Sequence, residues 1–341
     1  MMDRVSQQKP SSEKVAVLIP YMGKTLPNWF DSFALSAMSS SSLVDWYIFI
    51  SEAPRRKVPP NVHLIRISRQ EIFARLAHLD SNYASTPAAN KKLKGHFQHL
   101  IDVHPYILVE MKPALGFLFA DYILNYTHWA YADLDLLAGR IDHQITPDML
   151  QHYDIITMSF GDNNILYMRG QFTLHKNTPT MLNLWKGCDY LSKIGTRLEK
   201  FVEKHKKWDF HSAEGCYSRV VANTPNISVL YIPVQFSDAS HAPLEARETI
   251  VLGNTLLRCH AQSITDSVIN AVYHPPPETH SYFAEKHSNV LTAGAPLSRV
   301  PTGTEHCAYW IDPADQVCTE PVAANATITL ENGQMTSRIG I

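Results

Sequence analysis

Residues 128–136 read HWAYADLDL, an apolar and aromatic run that ends in two carboxylates, Asp133 and Asp135, one leucine apart. Trp129 and Tyr131 belong in a buried strand. On a strand residues i and i+2 share a side, so both carboxylates face the same way if the strand persists through them. Two anions held that close repel, and one takes up a proton unless a cation sits between them. A hard divalent ion, Mg2+ or Mn2+, resolves the conflict, because such ions are held by one or two carboxylates and completed by water and phosphate oxygens. The competing expectation is a turn that leaves both aspartates solvated. A buried strand favours the first, since ligands gather at the C-terminal ends of strands in α/β sheets.

The elements that must deliver this pair follow an α/β pattern, short apolar runs alternating with longer amphipathic ones. VAVLIPY (15–21), WYIFISE (46–52) and VHLIRIS (62–68) read as strands, with a helix opened by Pro27 between the first two. Helical patterns cover 69–79, 91–108 and 113–124, where Pro113 suits a helix start. YDIITMSF (153–160) and NILYMRGQFTL (164–174) read as two strands joined by a hairpin at the intervening GDN. Helices return over 179–194, 196–207 and 212–223, and a last strand at ISVLYIP (227–233). The expected organisation is a flexible N-terminus over 1–13, one catalytic-type domain over 14–275, and an irregular extension over 276–341, where HPPPE (274–278) interrupts regular structure.

With 45% hydrophobic and 18% charged residues, the 341-residue chain is ordinary globular protein, and 30 basic against 32 acidic residues give no field that would attract nucleic acid. No apolar stretch reaches the length of a membrane span, and the polar start MMDRVSQQKPSSEK lacks the marks of a signal peptide. Cytoplasmic residence is therefore the default expectation, with the secretory pathway (Golgi lumen) as the alternative if the natural N-terminus is longer. Sequons at Asn125, Asn226 and Asn325 keep that alternative open. Five cysteines without a CxxC pair suggest reduced, buried thiols.

The stretch VEMKPALGFLFADYILNYTHWAYADLDLLAGRI (109–141) closely resembles bacterial and eukaryotic glycosyltransferase-like proteins, in which a Lys-Pro-Ala-Leu/Tyr-Gly helix precedes a Trp-Gly-Tyr-x-Asp-x-Asp strand. The resemblance continues through YDIITMS and GQFTLHKN and covers roughly residues 14–235. It departs at Ala130, where the family usually has glycine. What it implies is a GT-A fold, a Rossmann-like central mixed sheet flanked by helices. In that fold Asp133 and Asp135 bind a nucleoside-diphosphate sugar (a UDP- or GDP-sugar) through Mn2+ or Mg2+. By the same resemblance Pro20 and Tyr21 cup the nucleotide base and Lys112 reaches the donor sugar or phosphates. A later histidine often completes the metal site in such enzymes, and His260 in LLRCHAQS is the candidate, ahead of His241 and His274.

Three further residues are read from their chemistry. Glu214, in the first turn of a predicted helix, is a candidate catalytic acid or base near the acceptor, or else complements the helix N-terminus. Gln171 and Thr173, flanking an aromatic in GQFTLHKN, suit an acceptor-sugar site, because amide and hydroxyl groups beside an aromatic face fit carbohydrate. The expected activity is metal-dependent transfer of a sugar from a nucleoside-diphosphate sugar to a hydroxyl of a carbohydrate or glycoconjugate. The alternatives are a catalytically degenerate sugar- or nucleotide-binding module and, less favoured, an aspartate-dependent phosphatase. The phosphatase motif belongs on the first strand with threonine or valine where this chain has Leu137.

Overall fold

The structure, a computed structural model, describes residues 13–232 except 24, 28–29, 53–55, 85, 137, 139–140, 159–167 and 205–212; beyond them it describes only the backbone of short strands within 236–273 and of 326–331 and 334–339. Seven strands form the centre of the sheet: β1 (Val15–Tyr21), β2 (Val44–Ile50), β3 (Val62–Arg66), β4 (His128–Ala132), β5 (Ile155–Met158), β6 (Phe172–Lys176) and β7 (Val229–Ile232). Their order is β7-β5-β6-β4-β1-β2-β3, and an antiparallel hairpin of Ala326–Glu331 and Gln334–Ile339 extends the β7 edge. β6 runs antiparallel to both of its neighbours while the other central pairs are parallel, so the sheet is mixed. The mixed α/β sheet flanked by helices is the architecture expected from the sequence. The boundary expected at 275–276 lies outside the described residues.

The period of two along each strand sorts side chains into two cores. Ala16 and Leu18 of β1 and Trp129 and Tyr131 of β4 face one, while Val15, Val17, Ile19, Ala130 and Ala132 face the other. The alternation continues past the end of β4, where Leu134 and Leu136 join the second core. Asp133 therefore has the parity of Trp129 and Tyr131, and it heads for the face covered by the Lys112 segment and by the helix Ala213–Asn223.

That Lys112 segment departs from expectation. The helix over Pro87–Val103 stops before Pro105, as the residue preceding a proline avoids the helical region, and a 3-10 helix runs from Pro105 to Ala114. Pro113 thus lies inside this turn rather than opening a long helix, and only Leu115–Leu118 is α-helical beyond it. That short helix packs closely on β4: a Cβ at Gly116 would lie 2.4 Å from the Trp129 ring. The glycine of KPALG and the tryptophan of the strand are thereby one steric unit.

The cysteine expectation is corrected in part: Cys188 and Cys216 are joined as a disulfide, with Cα atoms 5.6 Å apart. Their separation of 28 residues gives no sign of it; the fold brings the corner before the helix Asp189–Ser192 against Ala213–Asn223. The GDN hairpin and residues 307 and 318 lie outside the described residues. Among the described residues no helix is long and apolar enough to cross a membrane.

Candidate functional site

β4 ends at Ala132, but its ladder with β6 continues for one more bond, from Asp133 N to Gln171 O at 3.4 Å. The carboxylate of Asp133 is thus held by a nearly continuous strand. Lys112 reaches it from the 3-10 turn: Nζ forms an ion pair with Asp133 and donates to the Gly170 carbonyl at 2.8 Å. The side chains of Lys112 and Asp133 are only 6% and 19% exposed, so water screens the pair weakly.

Glu214 completes the cluster. A Cβ at Gly170 would sit 2.0 Å from Glu214 Oε1 and 3.1 Å from Lys112 Nζ, so carboxylate and ammonium flank one gap that only a glycine leaves open. The helix carrying Glu214 is set by groups that sequence reasoning passed over. Buried Glu110, two residues before Lys112, accepts from Ala213 N at 2.6 Å and satisfies one of the donors that a helix start leaves unpaired. Ser218 accepts from Met168 N at 2.8 Å and donates to Glu214 O at 2.6 Å, bolting the 168–171 turn to the helix. With Glu110 at the helix start, the Glu214 carboxylate points to Lys112 and Gly170. The signal for Glu110 was present as one of two charges, with Lys112, inside the otherwise apolar run YILVEMKPALG.

The remaining candidates are placed unequally. Pro20 and Tyr21 end β1, which runs parallel to β4 with Leu18 opposite Tyr131, so they share the C-terminal sheet edge with Asp133. Pro20 borders a small apolar cavity with Leu108 and Met111, and half-buried Tyr21 lies against Gly23, its hydroxyl pKa raised by burial. Asp135 is partly buried on the loop after β4. Thr173 is corrected: it is fully buried, and its hydroxyl is taken up by Thr157 at 2.8 Å and the Arg169 carbonyl at 2.8 Å, so it braces the turn instead of facing an acceptor. Gln171 contributes its backbone to the ladder, and its Oε1 is buried with no hydrogen-bond partner among the described residues. His260 ends the strand Thr255–His260 of a separate three-stranded sheet, and its side chain, like His241 and His274, lies outside the described residues.

Beneath the cluster the core is aromatic and neutral. His175 stacks on Trp129 with centroids 4.2 Å apart, and burial pushes its pKa down to about 3. Burial also lifts the Tyr131 and Tyr217 hydroxyls above their usual range, the neighbouring Tyr217 adding to the effect at Tyr131.

Donor chemistry can be tested for a divalent ion. Among the described residues no three His, Cys, Asp or Glu side chains converge as a closed metal site. What is present fits an open site of carboxylate oxygens that substrate and water would complete, and Asp133 already holds a cation, the Lys112 ammonium.

No curated protein sequence matches the chain. Among solved structures it is similar to a galactosyltransferase, LgtC, in complex with donor and acceptor sugar analogs, at 11% identity and a TM-score of 0.37, over 82% of this chain and 97% of that one. An active-site mutant of LgtC is similar over the same shares, at 11% identity and a TM-score of 0.36. Residues 17–227 span β1 to the helix before β7 and include Lys112, Asp133, Gly170 and Glu214; they match the sequence model described as "Family of unknown function (DUF6625)", and the chain belongs to that family.

Proposed function

We propose that the chain is a glycosyltransferase of GT-A type that moves a sugar from a nucleoside-diphosphate sugar to a hydroxyl of a carbohydrate or glycoconjugate. The observation that carries this reading is the meeting of Asp133, Lys112 and Glu214 at the C-terminal edge shared by β1 and β4. Such an edge is where an open α/β sheet receives ligands. Diphosphate departure concentrates negative charge on the leaving group, and a nearby cation lowers the barrier by stabilising it. A divalent ion, Mn2+ or Mg2+, would be held by Asp133 and Asp135 and would supply that charge stabilisation when bound. Lys112 adds a point charge beside it, and Glu214 is the group available to accept a proton from an acceptor hydroxyl. Pro20 and Tyr21 offer an apolar edge for a nucleotide base.

Donor hydrolysis tests the reading against a non-catalytic binding module. Release of nucleoside diphosphate from a UDP- or GDP-sugar, lost in Asp133→Asn, supports a transferase; donor binding without release supports the module. The Cys188–Cys216 bond favours an oxidising compartment such as the secretory lumen over the cytoplasm. Glycan on Asn125 or Asn226, both exposed, would support that placement, and unmodified asparagines in the native protein would count against it.

A further inference from the structure

The Lys112 ammonium bears one charge and three N–H donors. It is almost fully buried, and it is directed to the Asp133 carboxylate and the Gly170 carbonyl, with Glu214 Oε1 across the same gap. An enclosed carboxylate such as Asp133 needs a counter-ion, since an unpaired buried charge is strongly destabilising. Lys112 is that counter-ion in the ligand-free protein. A hard divalent ion seeks the same carboxylate oxygens, and two cations on one carboxylate repel each other in a poorly screened site.

We propose that Lys112 is a resident cation that competes with the divalent ion for Asp133, so that metal arrival frees the ammonium to pair with an anionic group of the ligand. The inference rests on the proposed metal at Asp133 and adds the exchange. It assigns opposite signs to two effects of one substitution. Removing the ammonium takes the Lys112 ion pair away from metal-free Asp133, so the metal-free protein melts at a lower temperature. The same change removes the competitor, so Mn2+ binds more tightly. A lysine that only packs the turn would lower the melting temperature without tightening metal binding.

The experiment is an Mn2+ titration of the full chain, followed by the electron paramagnetic resonance signal of free Mn2+ and by thermal melting, for wild type, Lys112→Met and Asp133→Asn. Lys112→Met is expected to bind Mn2+ on the order of tenfold or more tightly than wild type while melting lower without metal. Lys112→Gln, which keeps a donor for the Gly170 carbonyl, serves in its place if the methionine variant does not fold. Wild type that binds Mn2+ with affinity unchanged in both neutral variants overturns the competition and leaves the metal site standing. Asp133→Asn binding Mn2+ as wild type does, or no Mn2+ binding by any of these proteins, overturns the metal site and the competition together. Binding by the neutral variants where wild type shows none supports the proposal in its strongest form.

Discussion

Gly170→Ala displaces the Glu214 carboxylate without replacing it. The added methyl would lie 2.0 Å from Oε1, whereas carbon and oxygen rest at roughly 3.3 Å, so the carboxylate must retreat by about 1 Å or more. The atom displaced is the far end of a flexible side chain, and the expected stability loss is about 1–2 kcal/mol, the low end for overpacking. A catalytic group misplaced by about 1 Å can lower turnover roughly a hundredfold, about 2.7 kcal/mol in the barrier. The assay is release of nucleoside diphosphate from the donor, with thermal melting beside it. Glu214→Ala provides the control: once the carboxylate is gone, the methyl has only Lys112 Nζ close by, at 3.1 Å, which need give by a few tenths of an ångström, and Gly170→Ala in that background should change turnover only slightly. Wild-type turnover in Gly170→Ala would refute the reasoning. So would a further hundredfold loss in the double variant relative to Glu214→Ala, because the methyl would then act elsewhere.

Gly116→Ala drives a methyl into the Trp129 ring, whose atoms are fixed in the core, so it should destabilise by about 1–3 kcal/mol or more in urea unfolding; an unchanged midpoint would break the steric link between KPALG and the strand. The Cys188–Cys216 bridge closes a segment of 28 residues and should contribute about 3–4 kcal/mol, so Cys188→Ala with Cys216→Ala should lower the urea midpoint, and neither thiol should be alkylated in denatured, unreduced protein. His175 refuses the proton that the unfolded chain accepts near pH 6.5, because its folded pKa falls to about 3. Stability should then fall by roughly 1.4 kcal/mol per pH unit as pH drops from about 6 toward 3, and His175→Phe should flatten that slope in urea melts at pH 7 to 5. An identical slope in the variant would mean that other groups set it.

The sheet was legible because its signals are local. The apolar run of β1, the run WYIFI within β2 and the alternation of HWAYADLD read directly as strands, and the same parity that sends Trp129 and Tyr131 to one core sends Asp133 to Lys112. Lys112 itself entered through the KPALG resemblance, not through periodicity. What escaped was set by tertiary contact. Thr173 looked suited to sugar recognition, yet its hydroxyl is used by Thr157 and the Arg169 carbonyl, partners that strand pairing brings near and no spacing rule announces. Glu110 and Gly170 act through a helix start and a carboxylate that lie far along the chain. The Cys188–Cys216 pair was hidden for the same reason.

The central claim is that the Asp133, Lys112 and Glu214 cluster binds a nucleoside-diphosphate sugar. Its most direct test is isothermal calorimetry of the full chain with a panel of UDP- and GDP-sugars, each with Mn2+ and with EDTA, on wild type and Asp133→Asn. Saturable heat from at least one donor with wild type in Mn2+, at least tenfold weaker in Asp133→Asn, is the predicted result. Equal donor affinity in the two proteins, or no donor bound by wild type under either condition, would contradict it.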